Sequence, residues 1–298
     1  MKNRHTLQKR IDSWIRKNKV YDKDITKNIL SKILGIKKAE ITDIEVRCCC
    51  ANVFTQKFVY KIQLYGDSII RDLKNRKLFA LYDKDLLCPI RIKHRKPLIV
   101  VMPRLTEITA YDEAAYFVLE RLKEYGCDTV FKIEDYPLVV YGLNILKCCP
   151  EGIELRKTLY HYLRGKEGTV LRTGPVHGDF HRGNIMAANG KLLLIDFDSF
   201  KDNGVQAVDA LYFILEEVRY KGGHRKSWLE EWLYLYKNIK EIQHEYKCIK
   251  QVDIDLQLGL ILLLLEWLVL QQQHEEKFII IQKDSIRRIN RTIERLYG

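Results

Sequence analysis

Apolar residues recur at helical spacing at the start of the chain. Leu7, Ile11, Trp14 and Ile15 are followed by Ile25, Ile29, Leu30 and Ile33, which predicts helix across 6–34 with Gly35 as its stop. From 40 to 105 the texture changes to strands. Ile41–Cys50 predicts one strand, and Thr55–Leu64 alternates with Phe58, Tyr60, Ile62 and Leu64 on one face. Tyr65-Gly66-Asp67 reads as a turn, with Ser68–Leu73 returning as the hairpin partner and a short helix over Lys74–Tyr82. Cys88–Ile92 and Leu98–Met102 form a second hairpin across His94-Arg95-Lys96-Pro97. Beyond Pro103 the pattern is helical, at 109–125, 151–164, 204–221, 225–247 and 252–277. No internal repeat interrupts this order. A small β lobe followed by a larger helical one is an α+β layout.

The most apolar stretch, Leu256–Leu270, holds an unbroken run only over Leu258–Leu265 before Glu266 interrupts it. A membrane span needs about 20 apolar residues, so a buried core helix is expected there. The N-terminus has charges but no apolar core of a signal peptide. Five of the eight cysteines lie in adjacent runs, Cys48–Cys50 and Cys148–Cys149, and no C-x-x-C pair occurs. Adjacent cysteines are a poor disulfide framework, so they are read as reduced thiols of a cytoplasmic protein, with the triple run on a buried strand.

Charge changes the picture at one end. The formal net charge is +12, and nine of those charges fall in residues 1–38, where twelve basic residues meet three acids. Three regions are therefore expected: a basic helical segment over 1–38, a β-rich lobe over 39–105, and a helical lobe over 106–298. The ordinary reading of the basic segment is a solvated helix face. Peripheral contact with an anionic membrane is the functional alternative, and nucleic acid is not the expected partner.

Residues 176–200 read VHGDFHRGNIMAANGKLLLIDFDSF. Two short apolar runs flank Asn189-Gly190, a strong two-residue hairpin signal. His177–Asn184 is then a loop feeding a hairpin, and Asp196 lies just past its second strand. Asp179, Asn184 and Asp196 should converge at the loop ends of one rigid unit. That set suits phosphoryl transfer, which needs a carboxylate to take the proton of an acceptor hydroxyl and oxygen ligands for Mg²⁺ on the nucleotide. The Asp-x-x-x-x-Asn spacing matches a kinase catalytic loop.

His177-Gly178-Asp179, Asn184 and Ile195-Asp196-Phe197-Asp198 resemble the motifs of the aminoglycoside phosphotransferase/choline kinase family. Val208-Asp209-Ala210-Leu211 resembles the helix start that follows them. The Arg182-Gly183-Asn184 loop and later Asn-Gly hairpin are also similar to bacterial lipopolysaccharide-core sugar kinases. The resemblance implies a bilobal protein-kinase-like fold, a small antiparallel β N-lobe and a larger helical C-lobe, binding ATP or GTP with Mg²⁺. It implies Asp179 as catalytic base and Asn184 and Asp196 as metal ligands within the catalytic loop 177–184 and the metal-binding segment 195–198. Asp198 either assists a second metal or braces the loop. Asp209 is expected to be structural, His177 to pack the loop, and Arg182 to be solvated rather than on a phosphate.

The first lobe departs from that pattern. The family holds the nucleotide phosphates with a Lys on the third strand. The expected hairpin places Arg71 there, with Lys61 on the preceding strand as the alternative. The helix over Lys74–Tyr82 contains no acid to pair with either. No glycine-rich loop occurs, and Cys50-Ala51-Asn52-Val53 falls where a phosphate-covering loop is expected. Met102 to Leu105 would offer backbone groups to the base. The acceptor implied is a small hydroxyl-bearing molecule, a sugar, amino alcohol or glycan precursor. A non-catalytic pseudokinase or binding module is the competing reading. A metal hydrolase built on His177-x-Asp179-x-His181 is a weaker one, because the flanking glycines indicate a loop.

Overall fold

The computed structural model describes residues 23–46, 50–64, 66–95, 97–126, 129–223, 227–274 and 282–297. Its contacts divide the chain into two compact units. One runs to Ile108 and includes Met186–Ser199; the other joins Thr109–Ile185 to the chain from Phe200 onward. The segment carrying Asp196 thus belongs to the first unit, although the sequence places it amid the helices of the second.

The first unit is a five-stranded antiparallel sheet with helices. Helix α1 (Lys23–Leu34) precedes β1 (Ile41–Val46), β2 (Cys50–Thr55) and β3 (Phe58–Gln63); α2 (Ser68–Phe79) precedes β4 (Arg91–Arg95) and β5 (Leu98–Pro103). The strand order is β1-β2-β3-β5-β4. Leu30 and Leu34 of α1 pack into one buried cluster with Ile41, Val53, Tyr60, Ile62, Ile99 and Val101 of the sheet. The expected first and second strands break differently from their sequence pattern. Thr55 ends β2, and its hydroxyl accepts from the Phe58 N–H at 3.0 Å and donates to the Phe58 carbonyl at 2.9 Å, which closes the turn. Cys50–Val53, expected as a loop, is strand β2, and the connection before it lies outside the described residues. Cys50 is buried there, while Cys48, Cys49 and the N-terminal half of the predicted first helix also lie outside them.

Ser68–Leu73 is helix, not a returning strand. Two adjacent isoleucines favour a strand locally. The buried positions Ile69, Asp72, Arg76 and Phe79 nevertheless recur with helical period. Two of those four are charged, so hydropathy alone conceals the period.

Helix α1, Lys23–Leu34, is therefore a packing element. Leu34→Ala is expected to cost about 2–5 kcal/mol of stability, the range for truncating a buried leucine. Denaturant unfolding checks this; a loss under about 0.5 kcal/mol, the range of surface substitutions, would show that the helix is dispensable to the sheet.

In the second unit, helices α3 (Tyr111–Glu124), α4 (Pro137–Ile145), α5 (Pro150–Arg164), α6 (Gln206–Lys221), α7 (Trp228–Ile242), α8 (Leu256–His274) and α9 (Lys283–Tyr297) carry the mass. Helix α8 is the core expected from its apolar run, with Leu258, Leu260–Leu265 and Leu268 all buried. Trp232 of α7 donates its indole N–H to the Leu260 carbonyl at 2.8 Å. Among the described residues, no helix is long and apolar enough to cross a membrane. Helices α4 and α9 escape the sequence pattern. The first is short, and among its described side chains the second buries Ile286, Ile289, Asn290, Thr292 and Ile293 amid charges.

Candidate functional site

The second unit builds a tightly tied loop over residues 177–184. Gly178 has φ +76°, a left-handed value that suits glycine. The buried Asp209, in the first turn of α6, accepts hydrogen bonds from the His177 N–H at 2.6 Å and the Gly178 N–H at 3.0 Å. The His177 ring packs edge-on against Phe180, with centroids 6.2 Å apart. These bonds fix the backbone that presents Asp179.

The Asp179 carboxylate is held from several sides. The Tyr212 hydroxyl donates to Oδ1 at 2.8 Å, and the Asn184 amide donates to Oδ2 at 3.2 Å and to the Asp179 main-chain carbonyl at 2.8 Å. His181 Nε2 lies 3.6 Å from Oδ2. Burial alone would raise this carboxyl. The hydrogen bond and charge of His181, the charge of His177 and the Tyr212 hydroxyl outweigh it and hold Asp179 well below the usual carboxylate range. Asn184 commits its nitrogen to Asp179, which leaves its amide oxygen as the hard donor.

Arg182 is partly exposed, and its guanidinium is engaged within the protein. Its Nε donates to Glu217 at 2.7 Å, a second guanidinium nitrogen pairs with the same carboxylate, and the group lies 3.7 Å over Tyr220 and 4.6 Å over Tyr111. Nothing in its sequence spacing signals Glu217. Within the same unit a cavity of about 420 Å³ is lined by Gly178, Tyr212, Trp228, Glu266 and Trp267 among others. The two indoles stack nearly parallel, 4.3 Å apart. Tyr212 thus touches Asp179 and lines the cavity.

In the first unit, Asn189 and Gly190 take φ 51° and 74° and close the hairpin between Ile185–Ala188 and Lys191–Leu194, as Asn-Gly predicts. Asp196 follows at φ 63°, a left-handed backbone in a residue other than glycine. Lys61, in the middle of β3, donates from Nζ to Asp196 Oδ1 at 2.7 Å. Burial disfavours the Lys61 ammonium, but the charge and hydrogen bond of Asp196 prevail and raise it.

Arg71 stands on α2, so its expected strand position is not found; Lys61 occupies the third strand instead. Arg71 pairs with Asp67 and lies 3.8 Å from Asp198. Helix α2 does contain an acid, Asp72, which the sequence reading placed before the helix. Met102 ends within β5, and Leu105 lies between two pinned residues. Arg104 donates its N–H to the Lys57 carbonyl at 2.8 Å, and Thr106 donates to Ala187 at 3.0 Å.

Asp179 and Asn184 come together in the second unit, and Asp196, Asp198 and Lys61 in the first.

No protein-family model matches the chain, and no curated protein matches it in sequence. Solved structures do match. Choline kinase LicA from Streptococcus pneumoniae superposes with a TM-score of 0.52 at 14% identity, over 92% of this chain and 98% of that one. The GDP complex of aminoglycoside 2'-phosphotransferase-IIIa gives 0.53 at 12% identity, over 91% and 99%. A ternary complex of aminoglycoside phosphotransferase APH(4)-Ia with ADP and hygromycin B gives 0.50 at 11%, over 91% and 99%. The chain has the protein-kinase-like fold of these phosphotransferases. In that kinase-like fold the antiparallel sheet precedes the helical region, the order seen here.

Proposed function

We propose that the chain is a nucleotide-dependent phosphotransferase that moves the γ-phosphate of ATP or GTP to a hydroxyl of a small molecule, a sugar or glycan precursor. The observation that supports it best is Asp179, a carboxylate held ionised and oriented by Tyr212, with Asn184 beside it. Phosphoryl transfer demands positioning and charge rather than covalent help from the protein. Asp179 orients the acceptor hydroxyl and takes its proton as the new O–P bond forms and the bond to the β-phosphate oxygen breaks. Lys61 meets the nucleotide phosphates, and the backbone from Met102 to Leu105 meets the base. The oxygen donors Asn184 and Asp196 suit Mg²⁺, which when bound neutralises phosphate charge. Asp198 assists that ion or braces Arg71. The acceptor enters the cavity that Tyr212 lines.

Of the two departures that favoured a pseudokinase, a lysine rather than Arg71 stands on the third strand, while the acid of α2, Asp72, is engaged by Arg76 and the Phe197 N–H rather than by Lys61. Peripheral contact with an anionic membrane through residues 1–38 is the partner reading carried with this function; in the described part of that segment Lys32, Lys37 and Lys38 are exposed.

Thermal unfolding with ATP, GTP or neither, each with and without Mg²⁺, tests the reading. A nucleotide at a hundred times its Kd stabilises the native state by about 2.7 kcal/mol. Lys61→Ala is expected to lower nucleotide affinity at least about tenfold, the loss of one charge-assisted contact. Arg71→Ala should leave it within about twofold, since an exposed ion pair is worth little. No shift with either nucleotide at millimolar concentration would overturn the assignment, and the reverse ranking of the two variants would return the phosphate role to Arg71.

A further inference from the structure

Asp196 needs an external hold. A left-handed backbone in a residue other than glycine costs of order 1–3 kcal/mol and persists only where the surroundings over-determine it. Those surroundings come from one face of α2. The Phe197 N–H, in the peptide directly after Asp196, donates to Asp72 Oδ1 at 2.7 Å. The Phe197 carbonyl accepts from Asn75 Nδ2 at 2.8 Å, and the same amide lies 3.3 Å from the Asp198 carbonyl. Asp72 is itself only 1% exposed and accepts from Arg76 Nε at 3.0 Å. Arg76 donates onward to the Cys88 carbonyl at 2.9 Å and lies 5.1 Å over the Phe197 ring. Phe79 packs against that ring at 4.7 Å.

Residues 72, 75, 76 and 79 share one helix face. Between them they take both main-chain polar groups of Phe197 and pack against its ring. We propose that Asp72, Asn75 and Arg76 are positioning residues that lock the Asp196-Phe197 main chain, so that α2 sets the aim of the Asp196 carboxylate through the backbone rather than by pairing with Lys61. Lys61 is left to Asp196 itself, at 2.7 Å. This inference rests on the proposed role of Asp196 toward a metal-bound nucleotide, but the hold on Phe197 can be read without any nucleotide.

A buried Asp-Arg pair is also an ordinary structural device, and its loss destabilises wherever it sits. The test therefore needs readouts that mere destabilisation would not move. Two variants serve, Asn75→Ala, which leaves the buried pair intact, and Asp72→Asn. Amide hydrogen exchange of the full chain without ligand is the first readout. Exchange over residues 195–199 should quicken by about tenfold or more in Asn75→Ala, while the amides of α2 and β3 keep wild-type protection. The second readout is the ratio of ATP affinities with and without Mg²⁺. It should fall by about tenfold in either folded variant while metal-free affinity stays within about twofold, whereas Lys61→Ala lowers both affinities.

Unchanged exchange over 195–199 in Asn75→Ala overturns the lock. So does an unchanged Mg²⁺ ratio in both variants when the wild type shows one. A wild-type protein with no Mg²⁺ enhancement would instead refute the metal role of Asp196, and the exchange result alone then decides the lock.

Discussion

Asp179→Asn is expected to lower kcat by about 10²–10⁴-fold while leaving nucleotide affinity within about twofold, the scale of a lost general base. The substitution is nearly isosteric. Its amide oxygen can still accept from the Tyr212 hydroxyl, which lies 2.8 Å from Oδ1 in the wild type. What it cannot do is receive a proton. Asp179 is held far below the usual carboxylate range, so the wild type presents the ionised form throughout the neutral region. The loss should therefore not be recovered by raising the pH. Nucleoside diphosphate release with an acceptor found by screening gives kcat, and nucleotide titration of the same preparation gives affinity. Near-wild-type turnover would remove Asp179 from the reaction.

Asp209→Ala should act on the fold and the chemistry together. The carboxylate is buried and accepts two main-chain N–H bonds, from His177 and Gly178. Truncation leaves both donors without their acceptor, at about 1–3 kcal/mol each. A stability loss of about 2–5 kcal/mol is expected by denaturant unfolding, with turnover falling at least about tenfold because the Gly178 turn presents Asp179. Asp209→Asn should fall between, since one oxygen still accepts while its amide hydrogens oppose the second donor. If Asp209→Ala unfolds at the wild-type midpoint, the two N–H groups are satisfied by water and Asp209 is not the anchor.

The sequence announces the parts of this arrangement that local chemistry dictates. Asn189-Gly190 demands a tight turn, and the apolar run at Leu258–Leu265 demands burial; both are found where expected. The loop residues Asp179 and Asn184 carry their spacing with them. What stays hidden depends on contacts distant in the chain. Lys61 meets Asp196 across 135 positions, and Asp72 meets Phe197 across 125. The first half of α2, Ser68–Leu73, reads as strand because the buried face it begins contains Asp72 and Arg76, which hydropathy counts as solvent-facing. The partners of Arg182 stay hidden too, Glu217 and two tyrosine rings that only the fold brings together.

The interruption of the first unit in the chain has a consequence for synthesis. A ribosome adds roughly 5–20 residues per second, so β1–β5 and α2 emerge on the order of ten seconds before Phe197 at those rates. In that interval Asp72 has Arg76 but no Phe197 N–H, Asn75 has no carbonyl to hold, and Phe79 has no ring to pack against. Leu87 and Thr106 likewise wait for Leu194 and Ala187, their bridge partners in the late hairpin. A nascent chain halted before the late hairpin carries a sheet whose polar and aromatic fittings are open, a natural client for chaperones. The first unit can thus finish folding only after residues 109–185 of the second have been made.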